Sequence, residues 1–513
     1  MKKTLLSAIF MAFAVCMMAQ SVSLPNPDPA WLKRFYVSSI PVEQNGDNAY
    51  LLLSYRPAST FKPKTYTDYV YFIDKGSLSN QCIEMTVSNA ENLLGGISTD
   101  RGIALLYNSL NKKGDQAFFT IMNLDGSEKS VTLTHENTVT TSANPRYWPS
   151  YMTAKSPDGK LLATLMTVTG KDNQLENLFV VVVNDQGEFA WSGPITPEFN
   201  GKTFSLGNFT IDNSGVIYIP AYTCEMKGKN ISDVNFMMIK TSESGTESFQ
   251  DKVSFGVPQN FTAKILKNGN VAVAGYYTES MTNTSLKTNG FFFFKFDTRS
   301  EDITEIQHFG FSENYVEKNA WVRFSTVLGN QQYTITAKDI FELENGSLAL
   351  CGEHRLVKAI YDPNMKSYSY QMLTKNILVS TLLPNGEAKF TMVEKQQAAG
   401  MGSQPQERDW PSHNISYSAF AHHNDLYFMF TDDTKNIPYP GKDVVCTISG
   451  FKFKGDKWAS VLMRLTPEQE ITQRVLTHGD QLLRAVDFFD GEYLYTTGNN
   501  QQEFLFSKIP LQE

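Results

Sequence analysis

Two short stretches bring together side chains suited to holding a polar ligand: Arg146-Tyr147-Trp148-Pro149-Ser150 and Arg408-Asp409-Trp410-Pro411-Ser412. An indole stacks on the C–H face of a sugar or on an aliphatic surface, and a guanidinium forks onto a carboxylate or phosphate. Arg146, Trp148, Arg408 and Trp410, with His413 just downstream, are therefore the candidate binding residues. The competing reading is structural. A tryptophan at each position would plug the space between neighbouring repeats, and the proline after it would stiffen the entry to a strand.

A second echo is Thr-Ala-Lys, at 153–155, 262–264 and 336–338. Alternation along a strand sends every second side chain one way, so Lys155, Lys264 and Lys338 would line a common channel and attract anions. The alternative places them at solvated positions beside carboxylates such as Asp339. His422-His423, with His413 upstream, forms the histidine cluster. Neighbours on a strand face opposite ways, so the pair is not expected to chelate one ion, and no metal site is expected. The chain has no GxSxG elbow, HExxH, P-loop or EF-hand pattern, and no cofactor is expected. Carboxylates are plentiful, but no pair recurs at corresponding positions, which leaves a glycosidase reading without an anchor.

The elements that must position these residues repeat along the chain. Eight times an apolar run meets a tight turn and a second apolar run: at Asn45-Gly46, Asp100-Arg101-Gly102, Asp158-Gly159, Asn213-Ser214-Gly215, Asn268-Gly269, Asn345-Gly346, Asn424-Asp425 and Asp490-Gly491. The early units recur about 55 residues apart, with about four strands each, the signature of a β-propeller. In each unit a more continuous apolar run follows the first hairpin, such as LFVVVV at 178–183 and FFFFKF at 291–296. Runs this short and this rich in aromatic and β-branched residues read as strands. The expected fold is all-β: a single propeller of four-stranded blades, eight in number, or seven if one unit is degenerate. The last unit ends with three strands. The segment from Ser21 to about Leu32 has no blade of its own, and it is expected to supply the fourth strand and close the ring with both chain ends, since an open ring exposes two edges.

Insertions concentrate at 312–332, 354–374, 394–414 and 433–457, between second and third strands or between blades. In a propeller these connections share one face, which predicts a loop-rich face around the sixth and seventh blades, where binding would reside.

Lys2 and Lys3 precede an apolar run from Leu5 to Met18 that ends at Ala19-Gln20. A basic head, a short apolar core and a small residue at the cut predict a signal peptide over residues 1–19, with the propeller over 20–513. Cys16 raises lipidation as an alternative, but Val15 before it is bulkier than that signal prefers. No later stretch is apolar enough to span a bilayer. Net charge is −8, which argues against non-specific nucleic-acid binding. Cys82, Cys224, Cys351 and Cys446 lack metal-knuckle spacing and fall in different units, so buried thiols are expected.

SPDGKLLA at 156–163 resembles the repeat of TolB-type and WD-like bacterial propellers. AKDIFELENGSLALCGEHR at 337–355 and TAKILKNGNVAVAGYY at 262–277 resemble secreted propeller proteins of the Bacteroidota, a largely uncharacterised group. The resemblance implies export and the propeller fold, and it carries no site residues across. The leading expectation is a non-enzymatic exported propeller that binds a protein or glycan partner of the cell envelope through its loop-rich face. It would sit in the periplasm, at the outer membrane or outside the cell. The alternatives are a hydrolase or lyase acting on carbohydrate or another envelope polymer at the channel mouth, and a structural envelope component.

Overall fold

The computed structural model describes residues 20–511 apart from 25–34, 46, 58–64, 89–90, 101, 111–115, 126–129, 141–148, 170–174, 198–202, 228–229, 280–287, 312–333, 363–366, 403–414, 442–443, 449–456, 479–481 and 500–503. The fold is an all-β propeller of eight antiparallel blades, each built on four strands, taken in chain order in the first seven. No α-helix occurs among the described residues; one 3-10 turn spans Thr434–Asn436. No helix of the described residues is long and apolar enough to cross a membrane.

The eighth blade comprises Leu482–Phe489, Tyr493–Asn499 and Phe504–Pro510, and Gln20–Leu24 adds antiparallel to the last of them. The two chain ends thus complete one blade, as the leftover N-terminal segment led us to expect. Without Gln20–Leu24 the Phe504–Pro510 strand would present a bare edge.

The local reason for the blades lies in the turns. In SPDGKLLA, Ser156 Oγ donates to Asp158 Oδ1 at 2.6 Å and accepts from the Leu161 amide at 2.9 Å. Asp158 Oδ1 also accepts from the Lys160 amide at 3.1 Å, and Gly159 takes the positive φ of 72° that closes the turn. Asp212 repeats the device in the fourth blade, its Oδ1 accepting from the Ser214 and Val216 amides. The polar residue that opens each turn therefore uses up backbone donors that would otherwise be left unpaired.

The chain divides into two compact units. One comprises residues 63–66 and 85–394 and carries the second to fifth blades and most of the sixth. Here the core lies between successive blades, which explains why the third strands read as unbroken apolar runs. Phe292, Phe294 and Phe296 pack on one side against Phe236, Phe255 and Phe261 of a cluster shared with the fourth blade. Phe291 and Phe293 face the other way, onto Ile335, Leu350 and Leu378 of the sixth. Phe236 meets Phe294 at 4.6 Å and Phe292 at 4.9 Å between ring centroids. Burial of each such ring contributes about 1.5–3 kcal/mol.

The other unit comprises residues 1–62, 67–84 and 395–513. Its cores join Leu24, Tyr71, Tyr495 and Phe506, and separately Phe420, Tyr427, Leu483 and Leu494.

The elaborations differ from the sequence expectation in kind. Segment 354–374 is mainly strand: Leu348–Asp362 and Ser367–Leu382 form one long hairpin whose pairing runs out to Asp362 and Ser367. Residues 394–402 belong to the strand Ala388–Gly402. Within 433–457, Cys446–Ile448 joins that strand in parallel, with Gln397 opposite Cys446. Cys446 thus belongs to the sheet that contains Cys351. Chain that reads as an insertion was captured by an open sheet edge, a tertiary event that local propensity does not record.

Candidate functional site

Within the larger unit, a cavity of about 300 Å³ opens on the inner strands of four consecutive blades, lined by Met152, Thr153, Asn208, Phe209, Thr262 and Lys338. Met152 and Thr153 come from Ser150–Lys155, Thr262 from Val257–Ile265 and Lys338 from Thr334–Glu342, the first strands of the third, fifth and sixth blades.

The fourth blade contributes through a break. Its first strand is split into Thr203–Leu206 and Thr210–Ile211, both pairing with Ile217–Lys227. Between the two pieces Asn208 leaves the sheet and bridges in parallel to Thr262 of the fifth blade. Its amide donates to the Phe261 carbonyl and its carbonyl accepts from the Ala263 amide, both at 3.0 Å. Gly207 permits this approach: a Cβ there would sit 2.3 Å from the Phe261 ring and 2.7 Å from the Phe261 carbonyl oxygen.

A second stitch ties the fifth blade to the sixth. Asn260 Oδ1 accepts from the Ala337 amide at 2.7 Å. The register of the sixth blade jumps there, with Ala337 opposite Gly352 and Asp339 opposite Cys351, so that Lys338 is the extra residue of a β-bulge. Between buried Ala337 and buried Ile340, two consecutive side chains, Lys338 and Asp339, are left on the open side. Asp339 is exposed, and partial loss of hydration beside the surrounding protein raises its pKa; Lys338 and Lys264 oppose that shift. Two ammonium groups therefore act on one carboxyl.

The Thr-Ala-Lys echo is accordingly realised in two phases. Thr153 and Thr262 line the cavity in the first two copies, whereas in the third Lys338 does so, because the bulge shifts the alternation. Lys264 and Lys338 both act on Asp339, as the carboxylate-paired alternative anticipated.

Arg146 and Trp148 fall in 141–148, and Arg408, Trp410 and His413 fall in 403–414; all five lie outside the described residues. His422 and His423 do not point apart: His423 takes a φ of 53° in the turn, and the two rings lie 4.1 Å apart between centroids. His422 also meets the Phe489 ring edge-on. The four cysteines of the described residues are free thiols, three of them buried, and burial pushes Cys351 and Cys446 well up.

Sequence reasoning missed Asn208, Phe209 and Asn260. The available signal was the Gly207-Asn208 pair interrupting an apolar segment, a mark of a break or close backbone approach.

No family model matches the chain, and no curated protein matches it. Solved structures similar to it include the β-propeller domain of the trilobed protease from Pyrococcus furiosus, at 10% identity and a TM-score of 0.34 over 71% of this chain and 95% of that one. The WD40 domain of SCAP from fission yeast aligns at 7% identity and a TM-score of 0.35 over 96% and 98%. The polysaccharide lyase Uly1 aligns at 9% identity and 0.34 over 92% and 90%. The propeller assignment rests on the order of the sheets in this chain.

Proposed function

We propose that this chain is an exported binding protein whose propeller holds a protein or glycan partner of the cell envelope. The observation that carries this reading is the lining of the cavity. Lys338, Thr153, Thr262 and Asn208 line it together, on strands stitched to one another by Asn208 and Asn260. Polar groups gathered on a rigid scaffold recognise hydroxyl-rich or anionic ligands without first having to be ordered. Export is supported by the N-terminal pattern of Lys2, Lys3, the Leu5–Met18 run and Ala19.

Arg146 and Trp148 stand immediately before Ser150–Lys155, the strand that brings Met152 and Thr153 to the cavity. That proximity in sequence supports a partner surface continuing from the cavity onto the preceding connection.

Affinity capture from the native cell envelope tests the reading. Wild type is compared with Lys338→Met and with a Trp148→Ala/Trp410→Ala double variant, each checked for native circular dichroism. A partner held by wild type and lost from folded Lys338→Met supports the cavity. Equal capture by all three returns these residues to blade packing.

A further inference from the structure

Resting on the binding reading above, we infer that the cavity takes a sugar acid, a single pyranose ring bearing a carboxylate. Each part of the lining answers one part of that ligand. Lys338 supplies the cation for the carboxylate. Thr153, Thr262 and Asn208 carry neutral groups that both donate and accept, the match for ring hydroxyls. Met152, half-buried against the neighbouring core, adds an apolar edge for the C–H face of the ring. A volume of about 300 Å³ stands at the small end of ligand sites and holds one ring.

Asp339 follows Lys338 on the open side of the bulge, so an anion held by Lys338 lies near a carboxylate. That neighbour disfavours a phosphate dianion more than a monoanion. An acidic peptide side chain would satisfy Lys338 but set its methylenes against Thr153, Thr262 and Asn208, which a ring of hydroxyls would use.

The test is isothermal titration calorimetry on the full chain with glucuronate, glucose and N-acetylglutamate. Lys338→Met and Thr262→Val serve as variants, each checked for wild-type circular dichroism and unfolding midpoint. The expected result is that glucuronate binds at least about tenfold more tightly than glucose, as one charge-assisted hydrogen bond provides. Lys338→Met should remove that preference, while Thr262→Val weakens both sugars. Equal affinity for glucuronate and glucose, or N-acetylglutamate binding as tightly as glucuronate, overturns the assignment. The comparison of the three ligands on wild type stands even if Lys338→Met does not fold. Envelope capture that depends on Lys338, with no response to glucuronate, overturns the sugar acid alone; loss of both overturns the cavity as a binding site.

Discussion

Replacing Asp432 by asparagine should stabilise the protein at neutral and alkaline pH. Asp432 is the penultimate residue of the second strand of the seventh blade, only 4% exposed, and its Oδ1 accepts from the Asp433 amide at 2.8 Å and from Asn436 Nδ2 at 2.7 Å. Burial dominates these bonds and the attraction of Lys395, and lifts the carboxyl from 3.8 to about 6; the charge of Asp433 adds to the rise. The carboxyl thus takes up its proton at a higher pH in the folded chain than in the unfolded one. Above about pH 6 the folded state carries a buried charge that costs about 3 kcal/mol, at about 1.4 kcal/mol for each unit of pKa displacement. The cost fades as pH falls through 6 and is gone below 3.8.

Asparagine keeps an Oδ1 acceptor for both donors and removes the charge, but it takes from Lys395, itself 3% exposed, a nearby anion. The net gain expected at pH 8 is therefore about 1–2 kcal/mol. Urea unfolding of wild type and Asp432→Asn at pH 5, 6, 7 and 8 measures it, and the gap should close as the pH drops. Asp432→Ala, which leaves the Asn436 and Asp433 donors without their acceptor, should lose about 1–3 kcal/mol at pH 5. An asparagine variant less stable than wild type at pH 8, or a gap that does not change with pH, would refute the account of a buried charge.

Four further outcomes follow from particular contacts. Gly207→Ala should cost about 1–3 kcal/mol in urea unfolding, because its Cβ overlaps Phe261 and displaces the Asn208 bridge to the fifth blade. Asn260→Ala should cost about 1–2 kcal/mol and lower sugar-acid affinity in the same calorimetric titration, since the Ala337 amide loses its acceptor beside Lys338. Protonation of Asp339, whose carboxyl is raised by its surroundings, removes the negative charge opposing the two lysines. Glucuronate affinity measured by calorimetry should therefore rise as pH is lowered into the range where Asp339 takes up its proton. Toward a thiol reagent in native buffer, Cys351 and Cys446 should stay silent until the chain unfolds, with Cys82, half-buried and pushed up to about 11, reacting slowly; fast native labelling of Cys446 would contradict its burial.

Much of the fold was legible because a blade is a local object. Turn chemistry such as Ser156-Pro157-Asp158-Gly159 is complete within six residues, and alternating burial follows from the strand itself. Even the closing strand was readable, since a three-stranded last unit demands a partner and Gln20–Leu24 had none nearer. The site was less legible because its geometry depends on distant residues. Lys338 faces the cavity through a bulge held by Asn260, which lies 77 residues before Ala337 in a different blade, and nothing in the Thr336-Ala337-Lys338 triplet distinguishes it from Thr262-Ala263-Lys264. The capture of Cys446–Ile448 by the edge of the sixth blade has the same character: a three-residue strand has no periodicity to read, and its pairing is decided by the edge it meets.

The two stitches also bear on what kind of recognition the cavity supports. Asn208 uses its backbone, and Asn260 its side chain, to lock one inner strand to the next, so Thr262 and Lys338 are placed by bonds that a ligand does not have to form. Ordering costs on binding are then confined to the lysine stem and the ligand, which favours discrimination between similar ligands over sheer affinity. Electrostatics acts in the same direction. The chain as a whole repels anions, while the ammonium group of Lys338 attracts them only within about one Debye length, roughly 8–10 Å at physiological salt. Added salt should therefore speed association by screening the overall charge and speed dissociation more by screening Lys338, so that the affinity for a sugar acid falls while the affinity for a neutral sugar holds. A site of this kind reads the carboxylate at contact rather than drawing it in from a distance.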